Sequence, residues 1–414
     1  MTLPKIPDNA VAERMLHCIG TSLSMSVSNV PDSVSTGPEV LLVDPSLFTP
    51  TYDRALSDGL AANGVHVSWA IRDTRAGEDE DDLSDYPEAM RFYPLSEGGR
   101  GPRGRLTKLL KGVEHWHGLR RLTKIARRFD VVHFQWTPLP LLDAAAMRRI
   151  RRTTPVVLTV HDVLPLNGAD GVQVQGFRKL FDAADRLVVH TDRARRALTA
   201  RGVPADRIEV IPHGPLALRC APAVTETRPS GRWRIVLFGR LKPYKGVDLL
   251  IEALGRLETG QRERLEIVVA GEPSFPMEPL LARARELGLE EPTLRFVLKR
   301  LTDQEIADLL SNADCFVFPY RTIDASGVLY LVAGMGRWLI ASPHGAFIDM
   351  LEDRPALGLL VDPEQVDALA TALVDSIGRR PGHDGDVAIP SWDRIGRQTL
   401  DLYRGLIERR QASR

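Results

Sequence analysis

The stretch Val236-Leu-Phe-Gly-Arg-Leu-Lys-Pro-Tyr-Lys-Gly-Val-Asp-Leu-Leu-Ile251 decides how the chain is read. Its opening apolar run suits a strand buried on both faces of a parallel sheet. The run breaks at Gly239. Cations stand at Arg240 and Lys245, and Gly246 opens an amphipathic helix with Val247, Leu250, Ile251 and Leu254 on one side. Strand, basic turn and helix start together make a place for a diphosphate. The amides and the helix dipole favour negative charge, and a guanidinium binds phosphate oxygens in pairs. The plainer reading is an ordinary strand-to-helix turn with its cations in water, and the turn alone does not choose between the two.

Outward from this stretch the alternation repeats. Toward the C-terminus, strands are expected at 234–238, 265–270, 294–298, 315–319 and 338–342, with helices at 246–257, 278–287, 303–312 and 326–335. Further helices fall at 363–378 and 391–410. Toward the N-terminus, strands at 39–44, 65–71, 131–136, 156–160, 186–190 and 208–211 alternate with helices at 52–63, 114–129, 141–152, 177–184 and 192–201. A long loop separates the strand at 65–71 from the helix at 114–129. On the helix at 114–129, Trp116, Leu119, Leu122, Ala126 and Phe129 fall on one half, and His117, Arg120, Arg121, Lys124, Arg127 and Arg128 on the other. The pattern is α/β, with two successive doubly wound domains. Residues 1–37 read as a partly disordered extension, 38–214 as a first domain, 215–232 as a Pro-rich linker, and 233–385 as a second domain. Residues 386–414 read as a terminal helix packing back toward the first domain.

The 414 residues carry 54 Lys+Arg and 54 Asp+Glu, so the chain as a whole is no polyelectrolyte. Its charge is segregated: residues 78–88 hold seven acids and no base, while residues 100–152 hold fourteen Lys or Arg against Glu114, Asp130 and Asp143. The basic part has two readings, contact with an anionic membrane surface through residues 103–128, or the solvated back of helices that cover a sheet. Aromatics do not interleave with the cations, which argues against nucleic acid. Three scattered cysteines without metal spacing fit a reducing, cytoplasmic location. No apolar run nears the ~20 residues of a membrane-spanning helix.

With these pieces in order, the sequence resembles the retaining GT-B glycosyltransferases of family four, over roughly residues 39–410. The resemblance rests on Phe238-Gly-Arg-Leu-Lys-Pro-Tyr-Lys-Gly-Val-Asp-Leu-Leu-Ile-Glu-Ala253. It also rests on Asp130-Val-Val-His133, Thr159-Val-His-Asp162, Ile211-Pro-His-Gly214 and Leu309-Leu-Ser-Asn-Ala-Asp-Cys-Phe-Val-Phe-Pro-Tyr320. It implies two Rossmann-like domains facing across a cleft, with a nucleoside-diphosphate sugar on the C-terminal domain. The acceptor, a glycan or glycolipid hydroxyl, would lie on the N-terminal one. It further implies that Arg240 and Lys245 bind the diphosphate beside Gly239, that His161 stands at the reacting centre, and that no metal or other cofactor is needed. The enzyme would be cytoplasmic, at or near the inner face of the membrane. Lys299 and Arg300, after the strand at 294–298, would border the base.

Two departures bear on these implications. The family carries paired glutamates before the helix that follows the Pro-Tyr strand. Here Asp324 takes the first position, and Leu331 or Val332 the second. Donor contacts would then come from Ser326, Gly327 and Val328, with Asp324 either meeting sugar hydroxyls or capping the helix. The first loop, which is Gly-rich in many relatives, here holds Pro45 and Pro50, which donate no amide. Ser46, Thr49 and Tyr52 are therefore placed on the acceptor side. The rival readings are a catalytically silent binder of nucleotide sugar or glycan, and a sugar phosphorylase on the same architecture. A dinucleotide oxidoreductase is disfavoured, because no Gly-x-Gly-x-x-Gly follows the first strand.

Overall fold

The computed structural model describes residues 37–74, 83, 85–96, 105–162, 171–223, 231–323, 325–352, 354–381 and 389–412. The N-terminal extension, most of the acidic run and Asp324 lie outside the described residues.

The first half runs β1 (Glu39–Asp44), α1 (Pro50–Ala62), β2 (His66–Arg72), β3 (Glu88–Phe92), α2 (Arg105–Ile125), β4 (Val131–Phe134), α3 (Pro140–Ile150), β5 (Val156–Thr159), α4 (Gly171–Ala183), β6 (Arg186–Val189), α5 (Asp192–Ala200) and β7 (Ile208–Val210). The second runs β8 (Trp233–Phe238), α6 (Val247–Arg256), α7 (Thr259–Arg262), β9 (Leu265–Ala270), α8 (Glu278–Glu286), β10 (Leu294–Val297), α9 (Asp303–Ser311), β11 (Cys315–Phe318), α10 (Gly327–Val332), β12 (Trp338–Ala341), α11 (Ala346–Leu351), β13 (Gly358–Leu360), α12 (Val366–Asp375) and α13 (Trp392–Ala412).

The strands form two parallel sheets, ordered β3-β2-β1-β4-β5-β6-β7 and β10-β9-β8-β11-β12-β13. Each sheet is covered on both faces, which is why its central strands read as unbroken apolar runs. One core lies between the first sheet and α2 to α5, with Phe134, Met147, Leu158 and Leu187 at its centre. The opposite core joins Leu42, Leu56, Leu60 and Trp69 to Ile395, Leu400, Tyr403 and Leu406 of α13. The closing helix thus packs on the first sheet, not the second. It crosses α1 closely, since a Cβ on Gly396 would sit 2.0 Å from the Gly59 carbonyl oxygen. His133 pins the contact through hydrogen bonds to Tyr403 (2.7 Å) and Thr159 (2.8 Å).

Several expectations need correction. Helix α4 begins at Gly171, six residues before the expected 177, and α7, α11 and β13 are not among the expected elements. The long loop after β2 contains β3, an edge strand with alternating burial whose half-polar sequence gives a weak signal. Helix α2 begins at Arg105, nine residues before the expected start at 114. Trp116 belongs with the cations: it is 42% exposed, while Leu119, Leu122 and Ala126 are buried. The buried stripe instead enters at His115, which bridges Tyr93 and Asp143 at 2.7 Å each.

Candidate active site

In both sheets the strand order reverses at one point, between β1 and β4 and between β8 and β11. Ligands of such sheets sit beyond the carboxyl ends of the strands at that reversal. Most of the sequence-derived candidates stand there.

In the second half, β8 ends at Phe238 and the chain turns at Gly239 with φ +105°. A Cβ there would lie 2.7 Å from Lys245 Nζ and 3.1 Å from Val328, so only glycine lets these groups close on the backbone. Lys245 ends a short 3-10 turn, Pro243–Lys245, and Gly246 follows at φ +67° as the N-cap of α6. A Cβ on Gly246 would meet the Pro319 carbonyl oxygen at 1.9 Å. The turn is held from β11's side by Arg321. Its guanidinium pairs with Asp248 at 2.6 and 2.9 Å, and its amide donates to the Tyr244 carbonyl.

Lys245 is consequently buried, with Nζ donating to the Phe238 carbonyl at 3.1 Å. Burial, helped by nearby Lys242, lowers its pKa to about 7. Arg240 is exposed. It lines a cavity of about 460 Å³ with Gly239, Gly271, Glu272, Arg300 and Thr302. Lys299 turns instead to Glu305, at 2.6 Å. Ser326 caps α10 by accepting from the Leu329 amide at 3.4 Å, so the capping role considered for Asp324 belongs to Ser326. Gly327 is exposed at the start of α10.

In the first half the carboxyl ends of β4 and β5 carry rings. His161 stacks on Trp136 (centroids 4.8 Å apart, 12°) and meets Tyr52 edge-on at 5.1 Å. Trp136 Nε1 donates to Thr49 Oγ1 at 2.9 Å, and Phe48 touches the same indole edge-on. Tyr52 is buried among His161, His190, His213 and Trp392. Ser46 serves the fold: its amide donates to Asp44, and its carbonyl accepts from Arg72. Asp44 is buried, and desolvation raises its carboxyl to about 6 although two loop amides donate to it.

The hydrogen bonds assign the His161 protons. Burial keeps His190 neutral, with its pKa near 4, and the like charge of its neighbours adds to burial in lowering His161 well below the usual value. His190 Nδ1 lies 3.1 Å from the Ile211 carbonyl, so it carries the proton and Nε2 is an acceptor. His161 Nδ1, 3.3 Å away, must then donate to it. That leaves His161 Nε2 as a bare lone pair, buried and without a partner among the described residues.

His161 and Trp136 form the wall between two cavities. One, of about 490 Å³, lies within the first half and is lined by Phe48, Gln135, Pro140, Phe177 and Phe181 among others. The other, of about 540 Å³, spans both halves. Thr49, Tyr52, His161 and Asp162 face it from one side, and Lys242, Tyr244, Ala325 and Gly327 from the other. Burial, with Asp162 as a further cause, lifts the Tyr244 hydroxyl to about 12, and both residues line this cavity. His213 also lines it, its ring stacked on Tyr330 at 4.0 Å.

The structure therefore brings Gly239, Lys245 and Val328 together at the end of β8, with Arg240 on the separate 460 Å³ cavity, and gathers Thr49, Tyr52 and His161 on the first-half wall of the cavity that spans the halves. Sequence reading missed Gln135, Trp136, His190 and Tyr244. The available signal was position: Gln135 and Trp136 directly follow a buried strand, where polar and aromatic side chains are out of place unless they line a site.

Comparisons with known proteins find relatives of both halves of the chain. Residues 51–214 match the model of Glycosyltransferase Family 4, and residues 232–378 match that of Glycosyl transferases group 1. A D-inositol 3-phosphate glycosyltransferase of Kribbella flavida is 30% identical over 316 residues, 68% of this chain and 72% of the relative. A GDP-mannose:glycolipid 4-beta-D-mannosyltransferase of Xanthomonas campestris pv. campestris is 26% identical over 297 residues, 67% of this chain and 80% of the relative. Among solved structures, the sucrose-phosphate synthase of Thermosynechococcus elongatus superposes with a TM-score of 0.70 at 20% identity, covering 90% of this chain and 99% of that one. The Anabaena protein HepE in complex with UDP and glucose gives 0.61 at 17%, covering 91% and 100%.

Proposed function

Because the chain belongs to the group 1 glycosyltransferases of family 4, we propose that it moves a sugar, with retention, from a nucleoside-diphosphate sugar to a hydroxyl of a glycan or lipid-linked glycan. The reading is carried by Gly239, whose open φ seats a buried lysine against the strand end that also presents Arg240. The diphosphate lies over this turn, and the two cations take up the charge that develops as the anomeric bond to phosphate opens. In the free protein Lys245 is half neutral near pH 7, and the bound anion pulls its proton back.

The donor sugar then projects into the cavity that spans the halves, toward His161. With Nδ1 engaged, the neutral ring accepts from a sugar hydroxyl through Nε2 and positions the anomeric carbon. The acceptor hydroxyl approaches from the same face as the leaving phosphate. Its oxygen bonds to the anomeric carbon, the bond from that carbon to phosphate breaks, and its proton passes to the departing phosphate oxygen. No protein base is required. UDP-, GDP- and ADP-sugars are screened for a rise in melting temperature, and the one that stabilises is followed to transfer. Binding without hydrolysis or transfer would mark the protein as a silent binder.

A lipid-linked acceptor is favoured by one surface. Along α2, Leu109, Val113 and Trp116 are 68%, 48% and 42% exposed. At 100° per residue they share a stripe with Arg120 and Lys124, Arg127 follows in the 3-10 turn after the helix, and Arg120 lies over the Trp116 ring at 4.7 Å. Leu139, Leu141 and Leu142, exposed at the start of α3, adjoin Pro138 and Pro140 of the 490 Å³ cavity. An apolar patch continuing into cations suits an anionic bilayer, and it delivers an amphiphilic acceptor at the cavity's wall. No helix among the described residues is long and apolar enough to cross a membrane.

A further inference from the structure

Gln135 is 1% exposed, and both its amide oxygen and its amide nitrogen lack a hydrogen-bond partner among the described residues. Its main chain is spoken for, the amide donating to the Val43 carbonyl at 2.9 Å within the sheet. Burying a primary amide with nothing to bond is costly, and an apolar side chain of that shape would be better for the fold. The residue lines the 490 Å³ cavity, whose other walls include the rings of Phe48, Trp136, Phe177 and Phe181, and which shares His161 with the reaction cavity.

We propose that Gln135 selects the acceptor. The amide reads two adjacent hydroxyls of a sugar ring in the 490 Å³ cavity while an apolar aglycone occupies the aromatic walls. The chemistry is that of a planar group with donor and acceptor side by side. Nε2 donates to one hydroxyl oxygen, and Oε1 accepts from its neighbour. A third hydroxyl is thereby held near His161 for transfer. The ligand class is an amphiphilic glycoside with a vicinal diol. This rests on the glycosyltransferase reading, and it goes further by assigning a cavity, a residue and an acceptor class.

The test uses the full chain with the nucleotide sugar that stabilises it most, and three probes: octyl β-D-glucopyranoside, octyl α-D-mannopyranoside and 1-octanol. Acceptor KM, donor Kd and melting temperature are measured for wild type and Gln135→Leu. The expected result has three parts. At least one octyl glycoside, but not octanol, accelerates donor turnover. Gln135→Leu raises that glycoside's KM tenfold or more, because a site built to bond hydroxyls discriminates strongly by them. Donor Kd stays within about twofold, and the melting temperature holds or rises by about 2–4 °C as a buried defect is removed. An unchanged glycoside KM in a variant that is more stable would overturn the proposal, leaving the amide a packing flaw. A melting temperature lowered by several degrees would also overturn it, showing a structural role. If donor binds and turns over but neither glycoside affects it, the acceptor assignment fails alone. If no donor binds, the enzymatic reading fails with it.

Discussion

At the carboxyl end of β8 the chain places charge, and at the carboxyl ends of β4 and β5 it places rings. Both regions lie at the reversal point of a parallel sheet, so the fold supplies the same location twice. What differs is the side chain the backbone allows. The turn after β8 is built on two left-handed glycines, which let Lys245 fold beneath the strand end and leave Arg240 outside. The loop after β1 is built on prolines and a buried carboxylate. It props Thr49 under the Trp136 indole and, through it, the His161 ring. One site suits a polyanion of fixed geometry. The other suits a ligand recognised by shape and a few hydrogen bonds.

The comparison is broken most severely at the charged turn. Arg240→Ala or Lys245→Ala should lower the transfer rate a hundredfold or more, the order seen when a group stabilising transition-state charge is removed. Single-turnover rates at saturating donor check this, and wild-type rates in either variant would remove that residue from the mechanism.

A smaller loss is expected on the ring side. His190→Phe keeps a ring in the cluster but frees the His161 tautomer. It should cost about tenfold in kcat with little change in donor KM, as loss of an orienting partner commonly does. If instead donor KM rises and kcat holds, His190 shapes binding and not the reacting ring.

The smallest effect belongs to the surface. Arg127→Gln should weaken binding to vesicles of phosphatidylglycerol and phosphatidylcholine about fivefold, since one cation near an anionic surface contributes about 1 kcal/mol. Sedimentation with the vesicles measures it. Wild-type protein left in the supernatant would show that the α2 stripe meets only water.

The charged half was the more legible in sequence, for a physical reason. A glycine at a fixed offset from two cations leaves a pattern, because backbone geometry and charge are both specified residue by residue. The parallel sheets were legible too, since burial on both faces writes itself as apolar runs such as Val40 to Val43 and Ile235 to Leu237. The ring side was not. Gln135 and Trp136 follow β4 and His190 follows β6, and nothing in the spacing of the two segments says that they meet. Strand β3 and the first turns of α2 were missed because their apolar residues face outward or alternate with charges at an edge. Trp116 misled for the same reason, an aromatic read as core where it stands on the surface.

Calorimetry tests the central claim most directly. UDP, GDP and ADP are titrated into the protein at pH 8 in two buffers of different ionisation enthalpy, with wild type beside Lys245→Met. At that pH Lys245, lowered to about 7 by burial, is mostly neutral in the free protein. A diphosphate seated against it should draw in about one proton on binding. The uptake should vanish in Lys245→Met, and the affinity should fall with it. Equal affinity and equal proton uptake in the two proteins would place the diphosphate elsewhere.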